Sequence, residues 1–100
     1  MNDTRTVSAP SEADAALLGR LRDDLQRQIG RVAEVLAVEE RIGTYESGLE
    51  CVTLVVSCLA GERERTFEAS GGTVIEAYGA LVRRAAAEKL AMAFTSLVKA

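Results

Sequence analysis

Two cysteines, fifteen acidic side chains and one glycine-containing turn are the groups in this 100-residue chain that could do chemistry, and the chain has no histidine. Without an imidazole, no side chain has an unperturbed pKa between roughly 5 and 8, so the commonest general base and metal ligand is missing. Cys51 and Cys58 stand seven residues apart in one β-branched run. On a strand an odd spacing sends them to opposite faces, roughly 23 Å apart at ~3.3 Å per residue, which excludes a bond between them and a zinc site within one chain. Each is read as a small apolar side chain, with Cys51 the more accessible. The acidic pairs Asp23-Asp24, Glu39-Glu40 and Glu62 with Glu64 fall in patterns of solvated faces, which lack the burial that shifts a carboxyl pKa. Ser70-Gly71-Gly72-Thr73 would offer free amides to an anion, but it lacks the lysine and spacing of a phosphate loop, and Glu68 and Glu76 stand beside it. It is read as a strand-to-helix turn. The expectation is a non-enzyme with no catalytic, cofactor or metal residues.

The elements that would position these groups centre on the stretch from Leu49 onward. The β-branched run Leu49 to Leu59 predicts a strand, Ala60-Gly61 a tight turn, and Glu62 to Ala69 a second strand. Val52, Leu54, Val56 and Cys58 share a core face; Cys51, Thr53, Val55 and Ser57 share a semi-polar one. Alternating charge on the second strand suits an edge, where it discourages pairing with strangers. Thr73-Val74-Ile75-Glu76 is a capping box: the Thr73 hydroxyl takes the Glu76 amide while the Glu76 carboxylate reaches back to Thr73. The long helix it opens has an apolar arc centred on Ile75, Val82, Ala86, Ala93 and Leu97. Tyr78, Leu81, Ala85 and Met92 flank that arc on one side, and Leu90 and Phe94 on the other, with Arg84, Glu88, Ala91 and Thr95 opposite. An arc this wide exceeds what one sheet covers, so a neighbour must share it.

Upstream, residues 1–10 are polar and aperiodic and predict a flexible tail, leaving residues 11–100 as a single domain. Ser11 is placed as an N-cap, and Leu17, Leu18, Leu21, Leu25, Ile29, Val32 and Leu36 then draw one helical stripe. Because the stripe continues past Gly30, the helix is expected to run to about Ala37, with an Asp23–Arg27 pair on its surface and Gln28 inside the stripe. Residues 38–46 are read as a charged edge strand before the Ser47-Gly48 turn, with the fraying end of the helix as the alternative. The fold class is therefore α+β in one small domain, with α-β-β-β-α order and a three-stranded antiparallel meander packed by two long helices.

Net charge is −3 and the sequence pI is near 5.0, which disfavours a general binder of phosphates or membrane surfaces. Residues 72–100 alone lean positive, with four basic and two acidic groups. Arginine outnumbers lysine ten to two and alanine fills sixteen positions, a composition that GC-rich coding alone would give. No apolar run approaches the ~20 residues that span a bilayer, and the polar N-terminus has no signal-peptide core, so a cytoplasmic location is expected.

The order helix, three strands, alanine-rich helix resembles the double-stranded RNA-binding domain in layout over roughly residues 15–98. That resemblance implies RNA contact by the last helix, which in the family opens with a run of lysines straddling phosphates. Here Thr73 to Ala77 carry Glu76 and no base. The leading expectation is a protein-interaction or regulatory module that binds itself, as a homodimer or small oligomer, or another protein. Its interface candidates are Leu21, Leu25, Ile29, Val82, Leu90 and Phe94. The alternative, nucleic-acid binding, would use Arg83, Arg84, Lys89 and Lys99. A third reading, an enzyme relying on Cys51 or Cys58, would need a thiol reactive well below pH 8.

Overall fold

A computed structural model describes the backbone of residues 12–99 and the side chains of residues 15–94. The expected tail and the Ser11 cap lie outside the described residues. Helix α1 spans Glu12–Ile29 and passes through a 3-10 turn, Gly30–Val32, into strand β1, Glu34–Thr44. Strands β2 (Glu50–Ala60) and β3 (Arg63–Gly71) follow, and helix α2 (Val74–Lys99) closes the chain. The strands form one antiparallel sheet in the order β1-β2-β3, as the meander expectation requires.

The strand alternation has the predicted phase. Leu54, Val56 and Cys58 of β2 are fully buried on one face, together with Val35 and Val38 of β1 and Phe67 of β3. Both helices cover that face: α1 packs over β1, and α2 over β3 and β2. Asp24 of α1 meets Tyr78 and Gln28 meets Lys89, so the helices lie side by side and run in the same direction. No helix among the described residues is long and apolar enough to cross a membrane.

The first helix is shorter than its stripe predicts. It ends at Ile29 because Gly30 takes φ +68, a left-handed conformation that glycine adopts without strain and that stops the helix. Ala33 is already extended. Val32 and Leu36 only mimic the helical period: Leu36 belongs to β1, where the register shifts between Val35 and Ala37 in a bulge that leaves it unpaired and 42% exposed. The edge strand expected at 38–46 therefore starts earlier and stops at Thr44.

Gln26 fixes the corner between α1 and β1. Its Nε2 donates to the carbonyls of Gly30 (3.1 Å) and Ala33 (3.0 Å), and its Oε1 accepts the Val35 amide (2.7 Å). One side chain thus satisfies three backbone groups that the helix end and the bulge would leave open. Gln28, the glutamine that spacing puts inside the apolar stripe, is instead exposed and donates to Asp24 (2.8 Å).

Two turns shape the sheet. Gly61, with φ +66, begins the two-residue β2–β3 turn, one residue later than expected. At the other end Tyr45 N–H donates to the Leu49 carbonyl (2.8 Å) and Gly48 takes φ +92.

Candidate functional site: the two sides of the C-terminal helix

The start of α2 is built as its sequence predicts, with one change. The Thr73 hydroxyl accepts the Glu76 amide at 3.1 Å, but the Glu76 carboxylate reaches one residue further back and accepts the Gly72 amide at 2.9 Å. The turn tightens enough to bring Gly72 within reach because Gly71 has no side chain: a Cβ there would stand 2.6 Å from the Ala77 nitrogen. A carboxylate of the chain itself thus occupies an amide that an anion would need.

The helix sits on the sheet in a different rotation from the one its apolar arc predicts. Ala77, Leu81, Ala85 and Met92 form the buried seat, whereas Ile75 is 82% exposed and Ala86 is exposed, although both were placed at the centre. Glu88, placed opposite the arc, is half-buried between Arg65 of β3 (3.2 Å) and Arg84 (3.4 Å). Alanines at 77 and 85 let the helix backbone approach the sheet closely, and the Arg65–Glu88 pair lets a carboxylate share the seat. Packing and pairing outweigh the mean direction of hydrophobicity.

The flank holding Leu90 and Phe94 is consequently left in solvent, at 73% and 67% exposure. They lie one turn apart on the same side of α2, with Ala86 beside them. The other interface candidates have different fates. Leu25 and Ile29 are buried within the chain against the sheet and α2, so they are core, and Leu21 and Val82 are half-buried. A groove of about 180 Å³ between the helices is lined by Gln28, Ile29, Ala85, Ala86 and Lys89. It is smaller than the roughly 300–1,000 Å³ of small-molecule sites.

The basic residues are not brought together. At 100° per residue Arg83 and Arg84 diverge, and Lys89 points to the α1 side, where its Nζ donates to the Gln28 carbonyl (3.0 Å). Arg84 is paired with Glu88, and the Lys99 side chain lies outside the described residues. No continuous positive face results among the described side chains.

Asp24 joins the two helices. Its carboxylate accepts the Tyr78 hydroxyl, the Gln28 amide and the Arg27 guanidinium (3.1 Å), so Arg27 pairs with Asp24 rather than with Asp23, which instead meets Arg22 (2.9 Å). The Tyr78 bond, followed by that of Gln28, holds the Asp24 carboxyl below its ordinary value. Burial first, then Asp24, pushes the Tyr78 hydroxyl up. Cys58 is fully buried, and burial raises its thiol, with the Glu88 charge adding to the effect. Cys51 lies half-exposed on the opposite sheet face, as the odd spacing predicts. Among the described residues no group of three or more His, Cys, Asp or Glu stands close enough to hold a metal.

Compared with known proteins, the chain matches no family model, no curated protein and no solved structure.

Proposed function

We propose that this chain is a non-enzymatic interaction module that associates with a second copy of itself through the solvent side of α2. The observation that carries this reading is the exposure of Leu90 and Phe94, at 73% and 67%, on the helix side turned from the sheet. Large apolar side chains grouped on one side of a helix support association, since each contributes roughly 1.5–3 kcal/mol when fully removed from water. Gly79 lies on the same side of α2, roughly 16 Å along the helix before Leu90, in the helix interior, where glycine costs about 1 kcal/mol relative to alanine. No described atom lies within 4 Å of a Cβ built there, so no contact among the described residues accounts for it. Its bare backbone gives an apposed helix room to approach.

Sedimentation velocity from one to a hundred micromolar tests the reading. A dimer is expected, weakened by Leu90→Ser and Phe94→Ser with unchanged circular dichroism. Association indifferent to both substitutions would place the contact elsewhere and overturn it.

A further inference from the structure

The outer edge of β3 is a second contact surface, and its backbone geometry and charge together describe the strand that fits it. Among the described residues no strand pairs with that edge. The two-residue turn Gly61-Glu62 makes Ala60 and Arg63 a hydrogen-bonded pair, so bonded pairs recur at Cys58 with Arg65, Val56 with Phe67 and Leu54 with Ala69. The bond from Tyr45 N–H to the Leu49 carbonyl, in the β1–β2 hairpin, gives the same phase. The N–H and C=O groups of Glu64, Thr66 and Glu68 therefore point outward from the sheet. Their side chains lie exposed on the sheet face turned from the helices. Arg63 and Arg65 lie on the helix face, where Phe67 enters the core and Arg65 meets Glu88 at 3.2 Å. Arg63, Glu64 and Glu68 make no ion pair among the described residues. The edge thus offers open backbone groups with positive charge along one face and negative charge along the other.

We infer that the β3 edge takes up an extended segment of another protein as a fourth, antiparallel strand with the opposite charge alternation. Basic residues of that segment stand opposite Glu64 and Glu68, and acidic residues opposite Arg63 and Arg65. Backbone bonds to Glu64, Thr66 and Glu68 hold the segment, and the two charged faces set its register. A second copy of β3 does not satisfy these charges. A two-fold axis at Thr66 sets Glu64 against Glu68, one at Arg65 sets that residue against itself, and one at Glu64 sets Arg63 against Arg65. An axis at Phe67 leaves all four charges without a partner. The alternation that keeps β3 from pairing with itself therefore admits a strand of complementary pattern.

This inference goes beyond the α2 contact. A blocked peptide Lys-Val-Thr-Glu-Lys-Glu, written to meet residues 68 to 63 in that order, tests it by NMR titration of the full chain at low salt. The amides of Glu64, Thr66 and Glu68 are expected to shift and to gain protection from hydrogen exchange. Those of Arg65 and Phe67, already bonded to β2, keep theirs. Exchanging lysine and glutamate throughout the peptide weakens binding roughly tenfold or more. Glu64→Lys with Glu68→Lys weakens the original peptide to a similar degree, and a peptide with both lysines replaced by glutamate recovers binding to that variant. No response at millimolar peptide overturns the inference. So does equal binding of both charge patterns, or failure of the compensating peptide. Protection at Glu64, Thr66 and Glu68 that rises with protein concentration alone makes the occupant a second copy and overturns it too. Peptide binding by a strictly monomeric chain sinks the α2 reading and leaves this one standing, because the two surfaces share no residue.

Discussion

The two sides of α2 differ in burial more than in hydrophobicity. Ala77, Leu81, Ala85 and Met92 are at most 3% exposed, whereas Ile75, Leu90 and Phe94 keep more than two thirds of their surface in water. The exposed side holds side chains as large as any in the seat. What separates the two is fit: two alanines admit the sheet at close range, and Glu88 finds Arg65. A helix carrying more apolar surface than its sheet can hide settles on the side that packs best, and the remainder becomes surface.

That contrast can be broken from either side. The largest effect is expected from Leu81→Ala, which empties a fully buried position and should cost about 2–5 kcal/mol in urea unfolding, whereas Leu90→Ala should stay within about 0.5 kcal/mol. Equal losses at both positions would mean that the two sides are not distinct. The glycines give the next step. Gly71→Ala drives a methyl into the backbone of the α2 start and should cost about 1–3 kcal/mol, because the atoms it meets belong to the main chain. Gly79→Ala meets no described atom and should stabilise the single chain by up to about 1 kcal/mol while weakening any close helix contact.

A comparable loss, about 1–3 kcal/mol, is expected for Gln26→Leu, which strands the Val35 amide and two carbonyls at the α1–β1 corner. Gln28→Leu, on the exposed side, should change little.

The smallest effect concerns the Asp24 carboxylate. Its pKa is depressed in the folded chain, so its contribution to stability is present above the ordinary carboxylate range and fades as pH falls through that range toward the folded value. Tyr78→Phe removes the first cause of the depression, and the Asp24 titration followed by NMR should move upward. No movement would show that Gln28 and Arg27 hold the carboxylate alone.

Much of this architecture is legible in the chain because its signals are local. The β-branched run around Leu54, the glycine at the β2–β3 turn and the Thr73–Glu76 box each act within a few residues, and each appears nearly where expected. The Gly30 stop was visible as a residue but not as a conformation, since Val32 and Leu36 kept the helical period by coincidence while the chain had already turned. Of the six interface candidates, Leu90 and Phe94 emerge as surface, and Leu25 and Ile29 as core. Periodicity reports which residues are apolar, not which side of a helix meets the sheet.

Composition and spacing by themselves determined the order of elements, the face of each strand that turns inward and the separation of the two thiols. Those properties follow from backbone geometry that repeats every two or 3.6 residues, so any reader of the chain can count them. Tertiary structure alone decided the rotation of α2, the place of Glu88 beside Arg65 and the role of Gln26 at the corner. Each of these depends on atoms far apart in sequence competing for the same space, and only the assembled core settles that competition.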